Sequence, residues 1–331
     1  MPRLALCLGL ILLAAPIASA SAQGIGTGAE TSGAIGKSAG PVFKSSVELV
    51  ALSVTVTDSK QKYVPGLHQA QFEVYEDGVL QDLSFFAADP VPLDLAILLD
   101  TSASMLDKMP VVREAAVGFA RTLRGGDRGA VIEFKDTVRV LQPLTGDVGL
   151  LESAIGRTAA KGGTALHTAL YVALKELARE NLKTGDVRRQ AIVVLSDGLD
   201  TRSLVTGDDV LELARRGGIA IYTISLPSSA IVRQSYAGSQ FFSESDYSMR
   251  TLAQETGGRA FFPLGIQDLA PVYSVIALEL ANQYALGYVS KNPARSGGLR
   301  RIAVRLPSRP DARPRTRLGY LAARLLQPGI R

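Results

Sequence analysis

The sequence predicts an α/β protein: a doubly wound, mostly parallel sheet of strand order 3-2-1-4-5-6, flanked by a small antiparallel β-sandwich-like module made of N- and C-terminal strands. Three observations carry this reading. Leu95 to Leu99 is an unbroken apolar run ending at Asp100, as in a strand buried on both faces of a parallel sheet. Beyond it, apolar runs alternate with segments of helical period as far as Gln283, the pattern of β-α units. On either side of that block lie short alternating strands separated by Gly and Pro.

Taken in order, residues 1–22 read as a secretory signal peptide. Met1-Pro2-Arg3 makes a positive start, Leu4 to Ile17 is apolar, and small residues at Ala18-Ser19-Ala20 and Ala20-Ser21-Ala22 offer cleavage sites. At about 15 residues the run is short of the roughly 20 that span a bilayer. No later segment is apolar and long enough, so no stable membrane span is expected after cleavage. The sole cysteine, Cys7, lies within this run and leaves with it. The expected setting is therefore periplasmic or secreted, without disulfides. Residues 23–42, rich in Gly, Ala, Ser and Thr, read as a flexible leader.

Residues 43–90 read as an N-terminal β module. Val50, Leu52, Val54 and Val56 alternate with Ala51, Ser53 and Thr55, the period of a half-buried strand. Val64-Pro65-Gly66-Leu67 is a turn. Phe72 to Tyr75 and Val79 to Phe86 flank Glu76-Asp77-Gly78, a hairpin signal. Residues 91–283 form the α/β block. Its expected strands are 95–99, 130–134, 137–141, 191–195, 219–226 and 260–263. Its expected helices are 108–123, 147–158, one opening at Gly162-Gly163-Thr164 and running to 181, 208–216, 249–255 and 268–283. The Ser-rich stretch 227–247 reads as a mobile loop. Residues 284–331 bring strands back at 284–289, 302–306 and 317–321, which are expected to pack with 43–90.

A chain of 331 residues with 47% hydrophobic and 20% charged residues has a globular composition, not a disordered one. The net charge of +5 is unevenly spread: from Arg295 onward ten arginines face one acid, Asp311. These arginines sit in apparent strands and Pro-rich turns without aromatic interleaving or a recognition motif. They read as a solvated basic face, with no nucleic-acid partner expected.

The chemistry-bearing residues cluster after strand ends. Asp100-Thr101-Ser102-Ala103-Ser104 follows the first buried strand and sets oxygens at alternate positions. One carboxylate and two hydroxyls are hard donors, suited to Mg²⁺ or Ca²⁺ and poorly to Zn²⁺. Asp197 follows the fourth strand of the block. In the expected order, strands one and four are neighbours where the winding reverses, the crevice in which doubly wound folds bind ligands. Thr164 follows two glycines and opens a helix toward the same rim.

Asp-x-Ser-x-Ser, a distant Gly-Gly-Thr and a later Ser-Asp-Gly resemble the metal-ion-dependent adhesion site of von Willebrand factor type A domains. All five positions match: Asp100, Ser102, Ser104, Thr164 and Asp197. The resemblance covers about Pro92 to Gln283. It implies that the Ser and Thr hydroxyls bind the ion, the aspartates act directly or through water, and an Asp or Glu of a partner protein completes the shell. The implied ion is Mg²⁺, with Mn²⁺ or Ca²⁺ also suitable. Thr101, Met105, Gly163, His167 and Gly198 are expected to form a partner-binding rim. Val56-Thr57-Asp58 with Phe72 to Gly78, then Tyr284 to Tyr288 and Arg317 to Tyr320, resemble a bacterial family of exported von Willebrand-A-related proteins.

The reading is thus an exported, metal-dependent protein-binding or adhesion module and not an enzyme. Two alternatives stand beside it. One is a scaffold subunit of an envelope complex. The other is a Mg²⁺-dependent hydrolase or phosphatase, which needs a second acid where Ser102 stands. No Walker loop or nucleophile elbow is present, and neither His68 nor His167 is placed beside a serine by sequence.

Overall fold

The computed structural model describes residues 49–89, 91–184, 188–197, 200–226, 243–292 and 297–322. The expected signal peptide and leader, Gly198 and the 227–242 part of the Ser-rich stretch lie outside them.

The α/β block begins with β5 (Leu93–Asp100), after β1 (Leu49–Thr57), β2 (Glu73–Glu76), β3 (Val79–Gln81) and β4 (Leu83–Ala87). It continues through α1 (Met109–Ala120), β6 (Arg128–Phe134), β7 (Val138–Thr145), α2 (Val148–Gly156), α3 (Leu166–Thr184) and β8 (Arg189–Ser196). It is completed by α4 (Gly207–Gly217), β9 (Ala220–Ser225), α5 (Glu244–Thr256), β10 (Ala260–Phe261) and α6 (Leu269–Ala281). The sheet order is β10-β9-β8-β5-β6-β7. Counted within the block, this is the expected 3-2-1-4-5-6 read from the opposite edge. Every pair is parallel except the edge pair β6–β7.

Alternate residues of β5 face opposite layers. Leu95, Ile97 and Leu99 pack with α1, α2 and α6 through Val112, Phe119, Leu151, Ile155 and Tyr273. Ala96 and Leu98 pack with α3, α4 and α5 through Leu170, Leu174, Val210 and Met249. All eight residues of β5 are buried, which is why the strand reads as a continuous apolar run.

The flanking strands close two antiparallel sheets. After the block come β11 (Gln283–Val289), β12 (Leu299–Arg305), β13 (Arg313–Arg315) and β14 (Gly319–Leu321). One sheet has the order β13-β1-β11-β4 and the other β14-β12-β2-β3. Val50, Leu52, Val54 and Val56 enter a shared core with Phe72, Val74, Tyr284, Leu286, Tyr288, Ile302 and Tyr320. The Asp77-Gly78 turn has positive φ at both residues, 48° and 83°, the requirement of a tight two-residue hairpin.

Several boundaries differ from expectation for identifiable reasons. The run 79–86 is two strands: β3 pairs with β2 in one sheet, and after Asp82 β4 pairs with β11 in the other. A change of partner leaves the inside–outside period intact, so alternation does not register it. The helix expected from Met249 starts at Glu244, capped by Ser243, whose Oγ accepts from Asp246 N at 3.1 Å. Residues 243–247 are therefore its cap and first turn, not loop. Gln283, expected as the end of the last helix, instead begins β11 opposite Thr55. β13 had no strand signal because of Pro314, which the edge position beside β1 tolerates.

The basic tail is not uniformly solvated. Arg300 is buried on Glu76 at 3.0 Å, and Glu76 also accepts from Tyr288, Ser290 and Tyr320. Arg315 pairs with the buried Glu279 of α6, and Arg317 donates to Ala51 O at 2.9 Å. Arg300 and Arg315 engage buried carboxylates and Arg317 is itself buried, so the reading of a solvated face fails for these three.

Candidate metal centre

The site grows from the C-terminal ends of β5 and β8, neighbours at the point where the helices change sides. Asp100, the last residue of β5, is fully buried. Its Oδ1 accepts from Ser102 N at 2.8 Å and its Oδ2 from Ser196 Oγ at 2.5 Å. Burial pushes the Asp100 carboxyl up from its ordinary range. The hydrogen bonds of Ser102 and Ser196 oppose that shift, and the nearby Asp197 adds to it.

A 3₁₀ turn, Ala103–Lys108, then carries the chain into α1. Ser102 Oγ and Ser104 Oγ stand 3.1 Å apart, and Ser104 Oγ donates to Asp197 Oδ1 at 2.7 Å. Lys108 Nζ donates to Asp197 Oδ2 in an ion pair. Asp100, Ser102, Ser104 and Asp197 are thus linked in a chain, through two contacts within one turn and one from Ser104 across to Asp197.

The loop ahead of Thr164 is tied to the same turn. Gly162 O accepts from Ala103 N at 2.9 Å, and Lys161 N donates to Thr101 O at 2.8 Å. Gly162 has φ +79°, and a Cβ there would run into the Asp136 carboxylate, which accepts from Gly163 N at 2.9 Å. Thr164 is 5% exposed. Its N–H donates to Thr201 Oγ1, and its carbonyl accepts from Thr201 N and Arg202 N, tying it to the segment after Asp197.

The expected rim divides. Thr101 is fully buried, its hydroxyl donating to Phe134 O at 3.2 Å, and Met105 is fully buried in the core under α1. Neither is placed to touch a partner: the turn needs Thr101 to tie β5 to β6 and Met105 to anchor itself. Gly163 is half-buried beside Asp136. His167 is partly exposed, but its Nδ1 lies 3.1 Å from Asp200 Oδ2, which also accepts from His167 N at 2.7 Å. Gly198 lies outside the described residues.

Three participants had no assigned role in the sequence reading. Ser196 and Lys108 engage the two aspartates. Asp200 organises the next loop, accepting from His167 N and from Ser203 N at 2.9 Å. Burial raises the Asp200 carboxyl, but these N–H donors, Ser203 and His167 outweigh it and hold the group below its ordinary 3.8. Among the described residues no group of three or more His, Cys, Asp or Glu side chains is placed to hold a metal ion. The cluster offers two carboxylates and hydroxyls, a hard oxygen set.

Residues 95–199 match the von Willebrand factor type A domain model. That stretch runs from β5 to just beyond Asp197 and holds the whole cluster. A relative from Mycolicibacterium paratuberculosis, named UPF0353 protein, is 26% identical over 219 residues, 61% of this chain and 65% of that protein. The chain therefore spans about two thirds of this curated relative's length. Among solved structures, von Willebrand factor type A from Catenulispora acidiphila is 14% identical and covers 86% of this chain and 76% of its own, with a TM-score of 0.46. Proximal thread matrix protein 1 of the mussel byssus, solved with a zinc-occupied MIDAS motif, is 17% identical and covers 63% and 50%, with a TM-score of 0.48.

Proposed function

We propose that Asp100, Ser102, Ser104, Thr164 and Asp197 hold a divalent cation, Mg²⁺ in the first instance, and that this centre captures an acidic group of a partner protein. The observation that carries the reading is the hydrogen-bonded set of two buried carboxylates, the buried Ser102 hydroxyl and the exposed Ser104 hydroxyl at the switch point of the sheet. A desolvated carboxylate is costly without a positive charge close to it. Burial first, and Asp197 to a smaller degree, push the Asp100 carboxyl up, and a cation at the site would favour its ionised form.

With so few carboxylates around it, the ion would supply residual positive charge and an exchangeable position for an external carboxylate. The chain's own residues do the rest. Ser102 N and Ser196 Oγ fix the orientation of Asp100, Ser104 fixes that of Asp197, and the 161–164 loop holds Thr164 against the turn. Mn²⁺ and Ca²⁺ suit the same donors. The reading is that of a binding module. Residues 1–22 support an exported setting, and among the described residues no helix is long and apolar enough to cross a membrane.

Isothermal titration of the purified chain with Mg²⁺ and Mn²⁺ is expected to give about one site per chain, lost in Asp100→Ala. Capture of periplasmic or surface proteins is expected in Mg²⁺ and not in chelator. An Asp100→Ala protein that binds as well as wild type refutes the assignment.

A further inference from the structure

Both oxygens of Asp197 are engaged from one short turn: Oδ1 by Ser104 Oγ and Oδ2 by Lys108 Nζ. The Asp197 side chain is fully buried and that of Lys108 is 16% exposed, so the pair is largely desolvated. The turn that carries Lys108 is itself pinned. Ala103 N donates to Gly162 O, Met105 N to Ser102 O, and the Met105 side chain is fully buried in the core. Lys108 is the last residue of that turn, directly ahead of α1. Its ammonium is therefore delivered to Asp197 by the same element that supplies the two serines.

We propose that Lys108 is a built-in counter-ion of the metal centre: its ammonium neutralises Asp197, and a divalent cation must displace it from Oδ2 to bind. This rests on the reading of the five residues as a metal site. It adds a determinant of affinity, since the chain itself carries the competitor. The competitor is tethered and so cannot be diluted away. Displacement would turn the lysine outward at the rim, where it would add positive charge beside the captured group.

An opposite charge within a few ångströms shifts an ionic equilibrium by about one to three decades. Removing the ammonium is therefore expected to tighten Mn²⁺ binding by roughly tenfold or more. The test is calorimetric titration with Mn²⁺ of wild type, Lys108→Met, Lys108→Gln and Lys108→Arg, each checked for folding by thermal melting in chelator. Lys108→Met and Lys108→Gln are expected to bind more tightly, and Lys108→Arg, which keeps the charge, to stay near wild type. Equal or weaker binding by Lys108→Met and Lys108→Gln overturns the proposal, as does Lys108→Arg matching their gain.

A second readout stays on the wild-type chain. Acylation of Lys108 by an amine-reactive reagent, followed by mass spectrometry, is expected to speed up at saturating Mn²⁺ relative to chelator. Unchanged reactivity overturns the proposal. If wild type takes up no Mn²⁺, the metal reading and this inference fall together. If wild type binds, Asp100→Ala does not, and the Lys108 variants are indistinguishable from wild type, only the inference falls.

Discussion

Replacing Asp100 by Asn separates the proposed metal role of this residue from its part in folding. The carboxylate is fully buried and accepts two hydrogen bonds, from Ser102 N at 2.8 Å and Ser196 Oγ at 2.5 Å. An amide of the same shape keeps the first with its oxygen and turns the second around, its NH₂ donating to Ser196 Oγ. The hydrogen-bond count is preserved, and the difference between the variants is the charge. The sign follows from the upward shift. A carboxyl raised in the folded state favours folding when protonated, so ionisation at neutral pH subtracts from stability, and a neutral amide removes that subtraction. In chelator, Asp100→Asn is therefore expected to unfold within about 1 kcal/mol of wild type, and on the stable side. Loss of a charged donor is expected to cost at least 10–100-fold in metal affinity, the range seen even for outer partners of metal ligands, or roughly 1.4–2.7 kcal/mol. Denaturant unfolding in chelator measures the first quantity and Mn²⁺ titration the second. A variant that unfolds several kcal/mol earlier yet binds Mn²⁺ normally would show Asp100 to be a structural carboxylate, and the reasoning would fail.

Three further outcomes test the frame around the site. Gly258→Ala is expected to lose at least about 2 kcal/mol by denaturant unfolding, because its Cβ would press into the backbone of Ile221 in β9. Tyr273→Phe is expected to match or exceed wild-type stability, by about 1 kcal/mol. Its ring stacks on Phe119 with centroids 4.8 Å apart, while its buried hydroxyl has no hydrogen-bond partner among the described residues. Asp200 gives a pH test. Its folded value lies below the ordinary 3.8, so its contribution is complete above that value and disappears as pH falls through the lower folded one. The stability gap between wild type and Asp200→Asn is thus expected to be full at neutral pH and to close only in stronger acid. A gap already closed at pH 5, by denaturant midpoint, contradicts this assignment.

Much of this architecture was readable from residue order because local and global signals agree. β5 is apolar from Leu95 to Leu99 because both faces are covered, and Asp100 is its abrupt polar end. The Asp77-Gly78 turn announces itself through the left-handed backbone it demands. The order of the central sheet followed from alternation of strands and helices and the rule that such crossovers share one hand. What escaped shares a different character. Ser196 and Lys108 act on aspartates 96 and 89 positions away in the chain, and a serine or lysine carries no pattern that names such a partner. Thr101 and Met105 were expected at the rim, next in sequence to the candidate ligands. Both are fully buried instead and anchor the turn. Arg300 was counted with a basic tail, whereas the buried Glu76 that claims it sits over two hundred residues earlier.

The route by which the α/β block joins the sandwich has one further implication. The chain leaves through β4 and returns through β11, and these strands lie side by side, with Ala87 opposite Ala285. Departure and return are thus about 5 Å apart, the spacing of any two paired strands. To the sandwich, everything between them is equivalent to an enlarged hairpin loop. The α/β block thus enters and leaves through one strand pair, and it is tied back to the flanking strands by Arg315 of β13 on Glu279 of α6 and by Leu318 N on Glu255 O of α5.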